Sequence, residues 1–217
     1  MAIRSADGDL PETFRRAVSS LRTAPTRPDV SLHEDAAPSR LAPYAVSLAG
    51  EVTGSGDEEP TTGRLIVLHD PAGQEGWEAT TRLVAFVRAN TDLEMAADPL
   101  LPAVAWSWLL EALAHQSAAF LAPAGTVTRV ASERFGSLAG GGPVAAVELR
   151  ASWSPVGEDL GRHLAAWADV LCMAAGLPPV AQGVLPLPER RPVSERPAGS
   201  LAGARRRPSS RSRPRAR

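Results

Sequence analysis

Apolar character stops at Pro188. From Arg190 to Arg217 the chain holds ten arginines and one glutamate, with only Val193 and Leu201 as sizeable apolar side chains. Ordering the backbone costs ~1–2 kcal/mol per residue, and a segment with so little to bury cannot offset that cost. Residues 188–217 are therefore expected to be a disordered, Arg/Pro/Ser-rich tail, and any fold must come from what precedes them. A polar stretch at residues 1–9 reads as a flexible N-terminus, which leaves residues 10–187 for one domain with one core.

The same boundary divides the charge. Residues 190–217 carry ten Arg against one Glu, net +9, and residues 1–189 carry 13 Arg against 23 acids, net −10; together they give the overall −1. All 23 basic residues are arginine. Without lysine the chain forms no Schiff base, holds no covalent pyridoxal phosphate and lacks the lysine of a phosphate-binding P-loop. Its one cysteine, Cys172, allows no internal disulfide, and no Cys/His spacing matches a zinc site, so neither cofactor nor metal is expected. Met1–Leu10 lacks the apolar core of a secretory signal, and the most apolar segment, Leu100–Ala114, is interrupted by Ser107 and Glu111 and is shorter than the ~20 residues that span a bilayer. These features predict a soluble cytoplasmic protein with no membrane contact.

Periodicity supplies the elements. Asp9, Pro11 and Glu12 suit a helix start, and Phe14, Ala17, Val18 and Leu21 continue it to about Arg22. Thr23–Pro43 has four prolines and reads as an extended connection. Strands are expected at Tyr44–Val52, at Arg64–His69, where Asp70-Pro71 stops the run, and at Thr81–Arg88. Asp98-Pro99 opens a helix to about His115, which is apolar on nearly every side and is therefore expected to be the most buried, with Trp106 and Trp108 in the core. Gly125–Arg134 and Val144–Trp153 read as a hairpin around Gly140–Gly142, and Gly157–Ala175 as a last helix stopped by Gly176 and Pro178. This order predicts an α+β fold: a two-layer sandwich, mainly antiparallel, with helices on one face of the sheet.

Several separated strings carry a family likeness: RLAPYA at 40–45, TGRLIVLHDPAG at 62–73, RLVAFVRA at 82–89, MAADPLL at 95–101, WSWL at 106–109, GTVTRVASERFG at 125–136, RASWSP at 150–155 and HLAAWADVLCMAAGLPP at 163–179. In that order they resemble the actinobacterial family known as domain of unknown function 3000. The likeness covers residues 10–185 and implies a single domain, with no activity attached.

Candidate sites are few. His69 and Asp70 at a strand end, with Trp77 and Arg82 nearby, have the chemistry for acid–base work or metal ligation, but Asp-Pro-x-Gly is also an ordinary turn. Arg82, Arg88, Arg129 and Arg150 fall in expected strands and suit an anionic ligand; the simpler alternative is ion pairing with Glu148, Glu133 or Glu94 on a solvated face. Ser107, Glu111 and His115 form one helix stripe, which offers two metal ligands at most and reads more simply as a wet edge. Trp106, Trp108, Trp153 and Trp167 sit in core patterns and Trp77 does not, while Cys172 reads as a buried apolar residue. Gly136–Pro143 lacks the spacing of a phosphate loop, and no GxSxG element is present.

The reading favoured by these features is a non-enzymatic domain that binds a macromolecule. Its tail arginines Arg205, Arg206, Arg207, Arg211, Arg213, Arg215 and Arg217 would supply electrostatic contact with nucleic acid or an acidic protein. A rival reading, an enzyme or small-anion sensor, requires Arg82 and Arg88 to line one pocket. In a third the domain is an acidic binding module whose tail masks its own surface. The sequence leaves the oligomeric state open.

Overall fold

Alternation along the strands decides which side of the sheet is covered. In β4 (Thr61–His69), Gly63, Leu65, Val67 and His69 are buried on one side while Arg64 is exposed on the other. In β5 (Thr81–Thr91), Leu83, Ala85, Val87 and Ala89 are buried and Arg88 and Asn90 are exposed. The computed structural model describes residues 4–5, 10–53 and 59–178, which include β1 (Arg4–Ser5), α1 (Glu12–Thr23), β2 (Val30–Asp35) and β3 (Tyr44–Val52) ahead of these two strands. After them come α2 (Leu93–Ala97), α3 (Leu101–His115), β6 (Phe120–Ser132), β7 (Val144–Pro155) and α4 (Gly161–Ala174). One antiparallel sheet results, in the order β1-β3-β4-β5-β7-β6, with β2 also paired to β3. The helices α1, α3 and α4 pack on one face, so the expected two-layer α+β sandwich is the observed architecture.

The centre of the core is α4. Nine of its residues are buried, among them Leu164, Trp167 and Leu171, against five in α3. Trp167 reaches the sheet because Gly50 and Gly63 lie under it: a Cβ on Gly63 would sit 2.7 Å from the Phe86 carbonyl oxygen and 3.0 Å from the Trp167 ring. The helix ends where Gly176, at φ +76°, reverses the chain and Leu177 N–H donates to the Cys172 carbonyl at 2.8 Å.

Four expectations change. The most buried helix is α4 and not α3, because α4 lies over the middle of the sheet while α3 covers its β6 edge; Trp106 and Trp108 are only partly buried. The stretch expected as a connection contains β2, whose Val30 and Leu32 pack toward the core between flanking prolines that hid the pattern. Glu12, expected in the reciprocal capping position of α1, pairs instead with Arg15 and Arg16; the expected cap itself, Asp9, lies outside the described residues. β6 begins five residues early, at Phe120, and Gly136–Gly141 forms a short 3-10 turn. The boundaries at residues 9 and 187, and the whole tail with its seven arginines, also lie outside the described residues.

Candidate functional site

No described helix covers the second face of the sheet, and register assembles a row of side chains across it. Arg64 on β4 stands directly opposite Phe86 on β5, which stands opposite Arg150 on β7. Arg64 and Arg150 are exposed and Phe86 is partly so. The Arg150 guanidinium carbon lies 5.5 Å from the centre of the Phe86 ring, within cation–π range. One row further along, Arg88 faces Glu148 and binds it at 2.5 Å, and Arg150 holds the same carboxylate at 2.9 Å. Arg64 pairs with Asp35 of β2. Three arginines thus share two carboxylates around one aromatic ring.

Of the four arginines singled out in the sequence, Arg82, Arg88 and Arg150 lie on this face. Arg88 and Arg150 meet at Glu148, but Arg82 does not join them, since Arg82 and Arg88 are six residues apart on one strand, which is about 20 Å. Arg82 is also nearly buried, because Trp77, Ala42 and Ala37 fold over the neighbouring Ala45 and Leu68. Its guanidinium donates to Ser152 Oγ at 2.8 Å, to the Ser152 carbonyl and to Ser154 Oγ, and Ser154 in turn donates to the Trp77 carbonyl. Burial lowers its pKa, with Glu78 opposing. Arg82 therefore anchors the 70–80 loop, and Trp77, far from standing free, packs on that small cluster. Arg129 belongs to the opposite side of the sheet, where it donates to the carbonyls of Ala96, Ala97 and Asp98 at the end of α2.

His69 and Asp70 part company at the strand end. Asp70 shapes the turn, accepting from Ala72 N–H at 3.0 Å and Gln74 Nε2 at 3.1 Å. His69 points to the helical side, stacked on Phe14 at 5.3 Å, with Nδ1 bonded to Thr81 Oγ1 at 2.9 Å. Burial lowers its pKa and so favours the neutral ring, and Nε2 has no hydrogen-bond partner among the described residues. Ser107 bonds back to the Val104 carbonyl, His115 lies 3.9 Å from Asp169, and no three His, Cys, Asp or Glu among the described residues gather as a metal site. Burial raises the Cys172 thiol to about 11, so it is protonated and unreactive at neutral pH.

A family model, described as a protein of unknown function, DUF3000, matches residues 10–185. The chain belongs to the DUF3000 family. No curated protein and no solved structure matches it. The DUF3000 match takes in every described strand and helix except β1, so the Arg64–Phe86–Arg150 row lies inside the family domain. Sequence inspection singled out neither Arg64 nor Phe86. The signal was there in part: Arg64 alternates with the buried Gly63 and Leu65, which marks it as outward-facing.

Proposed function

We propose that this DUF3000 protein is a non-enzymatic binding domain that meets a macromolecular partner across the open face of its sheet, with the arginine-rich tail adding electrostatic contact to nucleic acid or an acidic protein surface. The observation that carries this reading is the Arg64–Phe86–Arg150 row, which places two exposed guanidiniums on either side of an accessible ring. An aromatic on a sheet with arginines beside it suits a single-stranded nucleic acid, whose bases stack and whose phosphates pair. The rival small-anion sensor has less support, since Arg82 and Arg88 are far apart and Arg82 already holds a loop. Chemistry at His69 finds little support either, with the imidazole buried against Phe14.

The reading takes the protein to be cytoplasmic: Cys172 is a buried free thiol, and no described helix is long and apolar enough to cross a membrane. An actinobacterial source agrees with basic residues that are all arginine. Counterion release by the tail arginines makes binding strongest at low salt, while the net −10 of residues 1–189 repels a polyanion and so offsets part of that gain. The test is to titrate the full chain, and a form with the seven arginines from Arg205 to Arg217 replaced by glutamine, with single-stranded RNA and duplex DNA. Loss of these contacts should flatten the RNA salt dependence by up to about 5 in log–log slope. Equal affinity and slope in both forms would remove the tail from the function.

A further inference from the structure

The two edges of the sheet are defended differently. One ends in the two-residue β1 and in β2, which carries His33, Glu34 and Asp35. Charges and short length are what keep an edge strand from pairing with another chain. The other edge is β6, thirteen residues long, mostly exposed, with no described residue paired to its outer side. Its first residues are protected by Pro123 and by the irregularity between Leu121 and Ala124, where Ala122 sits at φ +46°. From Ala124 to Ser132 nothing comparable follows. The one charged side chain there, Arg129, is folded back onto the end of α2.

A second observation lies on the helix above that edge. Trp106 of α3 packs over β6, close enough that a Cβ on Gly125 would lie 2.6 Å from its ring. Trp108, on the other flank, packs in the small cluster that includes Ala174 of α4. Continuing around α3 from Trp106 and away from α4, helical periodicity brings Leu110, Ala103 and Ala114. Ala103 and Ala114 are exposed and Leu110 is partly so, and no charge falls among them. An apolar, small-residue flank thus overhangs an unpaired strand edge.

We propose that a second copy of this chain covers both, through antiparallel pairing of β6 with β6 of the partner about a twofold axis perpendicular to the sheet. Such an axis leaves the two helical layers on the same side, so the α3 flanks meet above the joined strands. Nine paired residues make an edge about 30 Å long, and two layers about 20 Å deep give roughly 600 Å² per copy, or about 1,200 Å² in all, the lower bound for a stable interface. The small side chains at Ala103 and Ala114 permit the close helix approach this requires. The proposal is independent of what the open sheet face binds.

Sedimentation equilibrium of the full chain over a range of micromolar concentrations tests it, with hydrogen exchange on the same samples. The expected result is a reversible species of twice the 22.8 kDa monomer mass, with β6 amides protected on association. Ala103→Glu should shift the equilibrium to monomer at least tenfold, and so should the pair Thr126→Lys and Thr128→Lys, which sets like charges across the new strand pair. A monomer at every concentration would overturn the proposal. So would a dimer that persists in both variants with β6 amides still exchanging freely.

Discussion

Trp153 Nε1 donates to His163 Nδ1 at 3.1 Å, joining the last turn of β7 to the first turn of α4 with both side chains fully buried. The bond needs an unprotonated Nδ1. Burial pushes His163 down to about 4, with Asp159 only partly opposing, so the ring stays neutral through the physiological range.

Stability should therefore depend on pH in a fixed direction. Below its ordinary pKa of 6.5 the unfolded chain takes up a proton at this histidine and the folded chain does not. The contribution is fully present above 6.5 and is lost as pH falls toward 4, by about 3 kcal/mol in total. His69, also lowered by burial, acts in the same direction. Urea unfolding between pH 7.5 and 5 should show the decline, and His163→Gln should have a shallower one. An unchanged slope in that variant would place the pH dependence elsewhere.

Gly63→Ala should destabilise by about 1–3 kcal/mol, because the new methyl meets a backbone oxygen at 2.7 Å that has no rotamer to escape into. Gly157, which has open space around it, is not a matched control, since its φ of +88° strains any side chain. Chemical denaturation of Gly63→Ala beside wild type checks the value. Native stability would mean that β5 leaves more room beside Gly63 than described.

Cys172 should resist thiol reagents in the folded protein and react promptly once the chain is unfolded, since it is fully buried and its thiol is raised to about 11. Timed modification with and without denaturant measures this. Rapid reaction of the folded form would show that α4 opens.

How far the sequence reveals this arrangement varies by element. β4 was legible as an uninterrupted run of β-formers stopped by Asp70-Pro71, and β7 because Val147, Leu149, Ala151 and Trp153 alternate with Glu148, Arg150 and Ser152, and the α+β class followed from the order of such elements. β2 was not, since six residues between prolines give alternation too little room. For α3, an apolar surface on every side says that the helix is buried without saying by what; position at the sheet edge leaves one flank uncovered, and position is a tertiary fact. The candidate site divides in the same way. Period two put Arg82 and Arg88 on a common face, but which residues stand beside Phe86 depends on the register of three strands, and register is set by packing across the whole sheet. Burial of Arg82 depends on a loop that no local pattern announces.

The central claim is that the open sheet face takes part in binding, and it is tested most directly by the salt dependence of single-stranded RNA binding to the full chain and to the Arg64→Ala, Arg150→Ala double variant. Both side chains are exposed, so folding should be unaffected and circular dichroism will verify it. Loss of two phosphate contacts should weaken binding at low salt and reduce the log–log salt slope by about 1.4. Identical affinity and slope in the variant and the wild type would contradict the account.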